Sequence, residues 1–445
     1  MKLPEAFLQR MKAMLGDEFE AFIASYDAPH HVSLKVNTLK IDVETFVKKF
    51  PYPLRPVPWN PEGFYYDVND PVSKHPYFHA GLYYIQEPSA MTPVMGLAPV
   101  PGDCCLDMCA APGGKSMQIA TSIGDTGLLV SNDINETRVK AILRNAERFG
   151  LRNMIILNES PEAIAKVMPH AFDRVLIDAP CSGEGMFRKD PKAVASWEKF
   201  GPLECAQMQR DIINQLHHLV KDQAAIVYST CTFSQEENED QMAYLLDNVE
   251  QFSPGRLAIS GVDKNENMIN VPSHMMHLWP HIHEGEGHFI GKLIANASTD
   301  NALILNESNQ PPEVVETFMH KHLKKPLTGK FEIEGERILL RPEKTLSVKG
   351  LRVVREGLLM GEIKKGRFTP SQALALHLKY DDFEPTLDLP SDSIEVLKYL
   401  KGETLFVNVE TEGLHLVCTD GYPLGFAKIS KGTLKNLYPV SWRML

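Results

Sequence analysis

Apolar positions in the first part of the chain recur at helical spacing: Phe7, Met11, Met14, Leu15, Phe19, Phe22 and Ile23. One stripe every three or four residues predicts a helical hairpin within residues 1 to about 50, with a strand at Val32–Val36. Pro51, Pro53, Pro56, Pro58 and Pro61 then break any regular element, so this stretch is expected as loop or edge strand. From about 100 to 295 short apolar runs alternate with amphipathic segments. The runs are Cys105–Met108, Leu128–Ser131, Met154–Leu157, Arg174–Ile177 and Ala224–Tyr228. The helices are expected from Lys115 and over Thr137–Phe149, Leu203–Val220 and Glu236–Leu246. A late run, Phe289–Ile294, is expected to add an edge strand. This alternation predicts an α/β fold, a Rossmann-like doubly wound parallel sheet with helices on both faces.

Beyond it, Ser298–Asn309 is polar and reads as a linker. The remainder has short strands, turn glycines and most of the basic clusters: Lys321, Lys324, Lys325, Lys330, Arg337, Arg341, Arg352, Arg355, Lys364, Lys365 and Arg367. The expected division is an N-terminal α/β domain (1–95), a central α/β domain (96–297), a linker (298–310), an intermediate basic domain (311–370) and a final α+β module (371–445).

Bulk properties narrow the class. With 445 residues, 43% hydrophobic and 23% charged, the chain can bury a sizeable core. Its first residues carry Glu5, Asp17, Glu18 and Glu20 and no continuous apolar run, unlike a signal peptide. No stretch of about 18 apolar residues occurs, so no membrane span is expected. Seven cysteines, an odd number, fit reduced thiols in the cytoplasm better than a disulfide framework. A net charge of -11 argues against a protein that coats nucleic acid non-specifically, and leaves room for a local basic groove.

The string Leu106–Lys115, LDMCAAPGGK, carries a strand into an acid, a turn of small residues and a helix start. Small residues let a backbone approach a ligand, and the helix start favours its negative groups. Asp133 ends the next strand about 20 residues on, where such folds hold ribose hydroxyls. There is no GxGxxG, so a nucleoside cofactor fits better than a dinucleotide. Asn158, Glu159 and Ser160 follow the third strand, where an adenine ring would lie; Ser160-Pro161 equally suits a plain helix cap.

Asp178-Ala179-Pro180-Cys181 follows the fourth strand and Ser229-Thr230-Cys231 the fifth. Ligands bind beyond the carboxyl ends of such strands, which brings Asp178, Cys181 and Cys231 to one cleft. Carbon 5 of a pyrimidine is a poor nucleophile. A thiolate adding at carbon 6 makes an enamine whose carbon 5 can attack an electrophilic methyl group. A proton on ring nitrogen 3 assists, which suits Asp178 in its acid form. A second thiol can serve the later proton loss and adduct collapse. Taken singly, a cysteine is more often a small buried apolar residue, the expected state of Cys104, Cys105, Cys205 and Cys418.

VNTLK (36–40), YYIQEPSAM (83–91), DMCAAPGGKS (107–116), DAPCSGEG (178–185), STCTFSQEENE (229–239) and GHFIGKL (287–293) together resemble the RNA 5-methylcytosine methyltransferases of the Nol1/Nop2/Sun (RsmB/NOP) group over residues 30–295. The resemblance implies S-adenosyl-L-methionine as cofactor and Cys231 as nucleophile, with Cys181 needed for product release. It also implies that Asp178 and Lys115 assist at the base. Cys109, Ala110, Ala111, Pro112, Gly113, Gly114, Lys115 and Asp133 would hold the cofactor, with Arg138 nearby and Asp178 near its methyl end. Two departures stand out: Lys35 replaces a frequent Arg, and Glu159 or Ser160 must replace the acid often found after the third strand.

RKDP (188–191) and the long C-terminal extension look most like the bacterial small-subunit ribosomal RNA methyltransferase F type, which carries a PUA-like RNA-binding module. The implied partner is 16S ribosomal RNA or the small ribosomal subunit, for a monomer. A target in the decoding region would put a methyl group where it hinders aminoglycoside binding. A transfer RNA methyltransferase of the same chemistry, and a ribosome-assembly factor without catalysis, are the competing readings. Phe187, Phe233 and Trp197 are candidate stacking partners for an unstacked base, packing being commoner for any one of them. Arg188 and Lys189 are candidate phosphate contacts, and the C-terminal basic clusters fit either RNA backbone or a solvated surface. His274, His277, His281, His283 and His288 lack the paired spacing of structural zinc sites, so no metal is expected.

Overall fold

The computed structural model describes residues 3–262, 271–296 and 301–444. Helices Glu5–Leu15 and Phe19–Ser25 form the predicted hairpin, with Phe7, Met11, Leu15 and Phe22 buried. An antiparallel sheet follows, in the order β2-β3-β1-β4, from β1 (Ser33–Val36), β2 (Arg55–Val57), β3 (Asn60–Tyr65) and β4 (Tyr83–Ile85). The proline-rich stretch supplies its edge strand β2, where a missing amide proton does least harm. Lys35 is buried on β1; its Nζ bonds Thr121 Oγ1 at 2.9 Å and pairs with Glu62 at 2.5 Å, so it ties this sheet to the catalytic unit.

The central sheet contains parallel strands β5 (Cys104–Asp107), β6 (Leu128–Asn132), β7 (Met154–Leu157), β8 (Phe172–Asp178) and β9 (Val220–Thr230). Short strands β10 (Phe252–Pro254) and β11 (Met275–Leu278) and antiparallel β12 (His288–Ala295) complete that side. The order is β10-β12-β9-β8-β5-β6-β7, reversing direction between β5 and β8. A crevice opens at such a reversal. Leu106, Val130, Val175 and Ile177 pack on one face, and Cys105, Leu129, Leu176 and Val227 on the other. Both faces are covered, which is why these strands read as unbroken apolar runs.

Two expectations need correction. Phe289–Ile294 belongs to an interior strand: β12 lies between β9 on one side and β10 and β11 on the other. The helix expected over Leu203–Val220 is two helices, Pro191–Ile213, kinked where Gly201 takes φ 67°, and Leu216–Leu219, and Val220 already starts β9. Both sides of Val220 are buried in strand packing, and helical periodicity cannot register that.

Residues 297–300 of the polar stretch lie outside the described residues; beyond them Ile304–Leu305 pairs antiparallel with Lys344–Thr345. The C-terminal part contains a four-stranded antiparallel sheet spanning 331–370 and a five-stranded sheet spanning 386–436. Strand Val353–Glu356 leaves this part and pairs antiparallel with β7, extending the catalytic sheet. Many residues of the basic clusters are paired with acids. Arg341 meets Glu332, Glu334 and Glu356; Arg355 meets Glu147; Lys324 meets Glu384; Lys364 meets Glu336 and Glu362. No helix among the described residues is long and apolar enough to cross a membrane.

Gly150 joins these parts. It ends helix Glu136–Phe149 at φ 73°, and a Cβ there would stand 2.5 Å from the Leu376 carbonyl oxygen. Gly150→Ala is therefore expected to cost about 2 kcal/mol or more in urea unfolding, from left-handed strain plus the clash. A loss of only about 1 kcal/mol, the left-handed strain alone, would show that the C-terminal part is not pressed onto this helix.

Candidate active site

The crevice at the switch point is a cleft of about 550 Å³. Its nucleoside end is built on local hydrogen bonds. β5 ends in Asp107, whose Oδ2 accepts Ser116 Oγ at 2.6 Å, and Ser116 meets Ser131 Oγ at 2.8 Å. The chain then turns through Cys109–Gly113, with Gly113 at φ 111° leading into helix Gly114–Ile123. A Cβ on Gly114 would stand 2.9 Å from the Tyr84 ring, so the turn is wedged under β4.

Asp133 is buried after β6; its carboxylate accepts the Ala111 amide at 3.2 Å and the Asn135 amide at 2.9 Å. Arg138 donates to the Ala111 carbonyl at 2.7 Å. Cys109, Asn132, Asp133, Ile134, Arg138 and Pro161 line this end. A buried carboxylate, an apolar wall and a turn of small residues suit a nucleoside with a charged tail, so the residues present fit S-adenosylmethionine.

Glu159 and Ser160 are not among the residues that line the cleft, and each has a partner of its own. Ser160 Oγ accepts the Ala163 amide at 3.2 Å and caps its helix. The Glu159 carboxylate is taken by Arg352, from its amide at 2.7 Å and its Nε at 3.2 Å.

At the other end lie Asp178, Cys181 and Cys231. Lys115 Nζ donates to Asp178 Oδ2 at 2.8 Å, and Ser229 Oγ to Asp178 Oδ1 at 3.0 Å. Burial would raise the Asp178 pKa, but the Lys115 ammonium and His288 outweigh it and hold the group far below the ordinary carboxylate range. Asp178 is thus a carboxylate, not the acid expected above, and the ammonium of Lys115 is the proton-bearing group. The Cys181 and Cys231 sulfurs are 3.4 Å apart. That contact and burial push the Cys181 thiol well above its usual value, so it rests protonated.

The loop carrying Cys181 is pinned from below. Glu237, buried, accepts Ser182 N at 2.9 Å, Ser182 Oγ at 2.5 Å and Gln209 Nε2 at 3.0 Å. The Gly185 amide donates to the Cys231 carbonyl at 2.9 Å, joining the two thiol loops. Glu184 is fully buried and holds Arg10, Trp197 Nε1 at 2.8 Å and the Phe233 amide at 3.0 Å. Glu184 and Glu237 lie inside recognised motifs, yet nothing in their spacing distinguishes a buried carboxylate from an exposed one.

The aromatic candidates take the commoner role, packing, and one phosphate candidate changes. Phe187 and Phe233 are buried in a cluster with Phe7, Phe22 and Trp279, so neither is free to stack on a base. Trp197 packs against the same cluster. Arg188 is a buried partner of Glu286 at 2.8 Å and donates to the Ser25 carbonyl at 2.8 Å, so it does not reach phosphate. Among the histidines, His277 pairs with Glu239 at 2.6 Å and His288 lies 3.6 Å from Asp178. No group of three His, Cys, Asp or Glu among the described residues is placed to hold a metal ion.

The family model described as 16S rRNA methyltransferase RsmB/F matches residues 94–294. Models of the RsmF N-terminal domain, first C-terminal domain and PUA domain match 3–88, 317–378 and 386–444. A ribosomal RNA small subunit methyltransferase F of Enterobacter sp. (strain 638) is 30% identical across 98% of this chain and 95% of its own. The chain belongs to the RsmB/F family. A Vibrio parahaemolyticus relative of the same name is also 30% identical, over 98% of this chain and 97% of its own. The solved structure of a methyltransferase homolog protein from Pyrococcus horikoshii aligns with TM-score 0.56 and 30% identity, covering 66% of this chain and 95% of that one. NSun6 from the same organism, solved with SFG, shares the fold at TM-score 0.56 and 21% identity, over 66% and 99% of the two chains.

Asp107 offers a test of burial at this RsmB/F site. Its Oδ1 has no hydrogen-bond partner among the described residues, and burial pushes its pKa up to about 7. A carboxyl raised on folding contributes stability that is complete below its unfolded value near 4 and is lost as pH rises through about 7. Wild type should therefore lose more stability than Asp107→Asn between pH 5 and pH 8 in urea titrations. Equal losses would mean that the group is hydrated or paired.

Proposed function

We propose that the chain transfers a methyl group from S-adenosylmethionine to carbon 5 of a cytosine in small-subunit ribosomal RNA, with Cys231 as covalent nucleophile. The observation that carries this is the pair of sulfurs 3.4 Å apart beside a Lys115–Asp178 ion pair at one end of a nucleoside-sized cleft. A single nucleophile would serve acyl or glycosyl chemistry; a second thiol beside it serves an adduct that must later be dismantled.

The cofactor, when bound, supplies an electrophilic methyl carbon. The chain does the rest. Cys231 releases its thiol proton to solvent and its sulfur adds to carbon 6, while Lys115 gives a proton to ring nitrogen 3. Asp178, fixed by Ser229, holds Lys115 in place. Carbon 5, now electron-rich, forms the new carbon–carbon bond to the methyl. Water takes the carbon 5 proton, the electrons of that carbon–hydrogen bond restore the ring double bond and the bond from sulfur to carbon 6 breaks, with Cys181 giving its proton to the departing sulfur and regaining one from solvent. Asp133 and the 109–114 turn hold the cofactor, with Arg138 bracing the turn. The RsmF-type relatives carry small-subunit ribosomal RNA in their names, and the matched PUA segment supports an RNA substrate.

The test is methyl transfer from labelled S-adenosylmethionine to small ribosomal subunits, their naked RNA and transfer RNA, with digestion to nucleosides. Labelled 5-methylcytosine from ribosomal RNA, lost in Cys231→Ala, is expected. Label only in transfer RNA would replace the substrate. No label in any RNA, with RNA still bound, would leave an assembly factor.

A further inference from the structure

Asp178 has one neighbour that the steps above do not use. His288 opens β12, one residue before Phe289 pairs with Thr230, so its backbone lies beside Cys231 across the two strands. The residue is 2% exposed, and its Nε2 has no hydrogen-bond partner among the described residues. That nitrogen is 3.6 Å from Asp178 Oδ1, an ion-pair distance rather than a hydrogen bond. Ser229 already occupies the same oxygen, and Lys115 occupies the other.

A buried nitrogen is costly to leave unpaired, so its position calls for a state in which it is paired. The reaction supplies one. When the Lys115 N–H bond breaks and an N–H bond forms at ring nitrogen 3, Lys115 becomes a neutral amine. Asp178 then has no counter-charge, inside the protein. A buried carboxylate without a cation takes up a proton, and would compete with the ring for the one just given. Imidazole is the side chain that carries a charge or not near neutral pH. An imidazolium at this position needs to close by less than about 1 Å to make a charged hydrogen bond to Oδ1.

We propose that His288 is a positioning residue of this reaction: as an imidazolium it keeps Asp178 ionised while Lys115 lends its proton to the ring. The inference rests on the covalent cytosine mechanism proposed above. The proton balance closes without a further reactant. His288 takes its proton from solvent beforehand and keeps it; the nitrogen 3 proton returns to Lys115 when the adduct collapses. The titratable groups sharing this corner are Asp178 on β8, Lys115 on the helix after β5, Cys181 after β8 and Cys231 after β9.

The test is the rate of gel-stable protein–RNA adduct formation in a Cys181→Ala background, in single turnover with saturating S-adenosylmethionine and small-subunit RNA. His288→Gln and His288→Phe are both expected to slow it by about 100-fold, with cofactor and RNA binding within about twofold of the parent. His288→Lys, a cation of different shape, is expected to recover about tenfold of that loss. A glutamine variant at the parental rate, or a lysine variant no faster than phenylalanine, would overturn the proposal, because packing rather than charge would then be what matters. If the phenylalanine variant fails to fold, glutamine against lysine decides. No adduct from the Cys181→Ala parent would instead overturn the covalent reading itself, and this inference with it.

Discussion

Cys181→Ala is expected to stall on its substrate as a protein–RNA adduct that survives denaturing electrophoresis. Cys231→Ala is expected to give no adduct and to lose methyl transfer by at least about 10³-fold. The asymmetry follows from the geometry. Only the nucleophile is needed to form the bond from sulfur to carbon 6. Breaking it requires the departing sulfur to be neutralised, and the group in contact with that sulfur is Cys181, at 3.4 Å and resting as a thiol. Wild type should show little adduct, because formation and collapse are both fast. Persistent adduct from Cys231→Ala and none from Cys181→Ala would exchange the two roles. Adduct no more abundant in Cys181→Ala than in wild type, with none from Cys231→Ala, would place the proton transfer on another residue.

The second large effect is structural and lies outside the reacting atoms. Glu184 is fully buried and gathers Arg10 from the first helix, Trp197 from the helix after the thiol loop and the Phe233 amide behind Cys231. Its carbonyl also accepts the Tyr26 hydroxyl at 3.1 Å. Glu184→Ala removes the acceptor and leaves three donors unsatisfied, one of them a cation. Loss of about 3 to 5 kcal/mol is expected in denaturant unfolding, together with early release of the N-terminal helices to protease. Glu184→Gln, which keeps an acceptor but not the charge, should lose less. A fully stable Glu184→Ala protein would mean that the aromatic cluster of Phe7, Phe22, Phe187 and Phe233 seats these helices unaided.

Local pattern was sufficient for much of this molecule. Parallel strands buried on both faces leave continuous apolar runs, so β5 to β9 are legible in the order of residues alone. A turn of small residues after β5 and thiols in small-residue loops after β8 and β9 are equally local. The chemistry they permit follows from the residue types, because neighbouring strands of a doubly wound sheet deliver their ends to one crevice.

Tertiary structure decided what those residues are when they arrive. Asp178 is a carboxylate because Lys115, 63 residues away in the chain, lies 2.8 Å from it. The Glu159 carboxylate is held by Arg352, 193 residues away. Arg188, Phe187 and Phe233 resemble RNA contacts by type, yet Glu286 and the N-terminal helices bury them. Val353–Glu356 belongs to the catalytic sheet, although it lies among strands of the C-terminal part. Periodicity reports which side of an element is apolar, and residue type reports what a group can do. Neither reports the distant partner whose charge or bulk sets protonation and exposure, and that partner is present only once the chain has closed on itself.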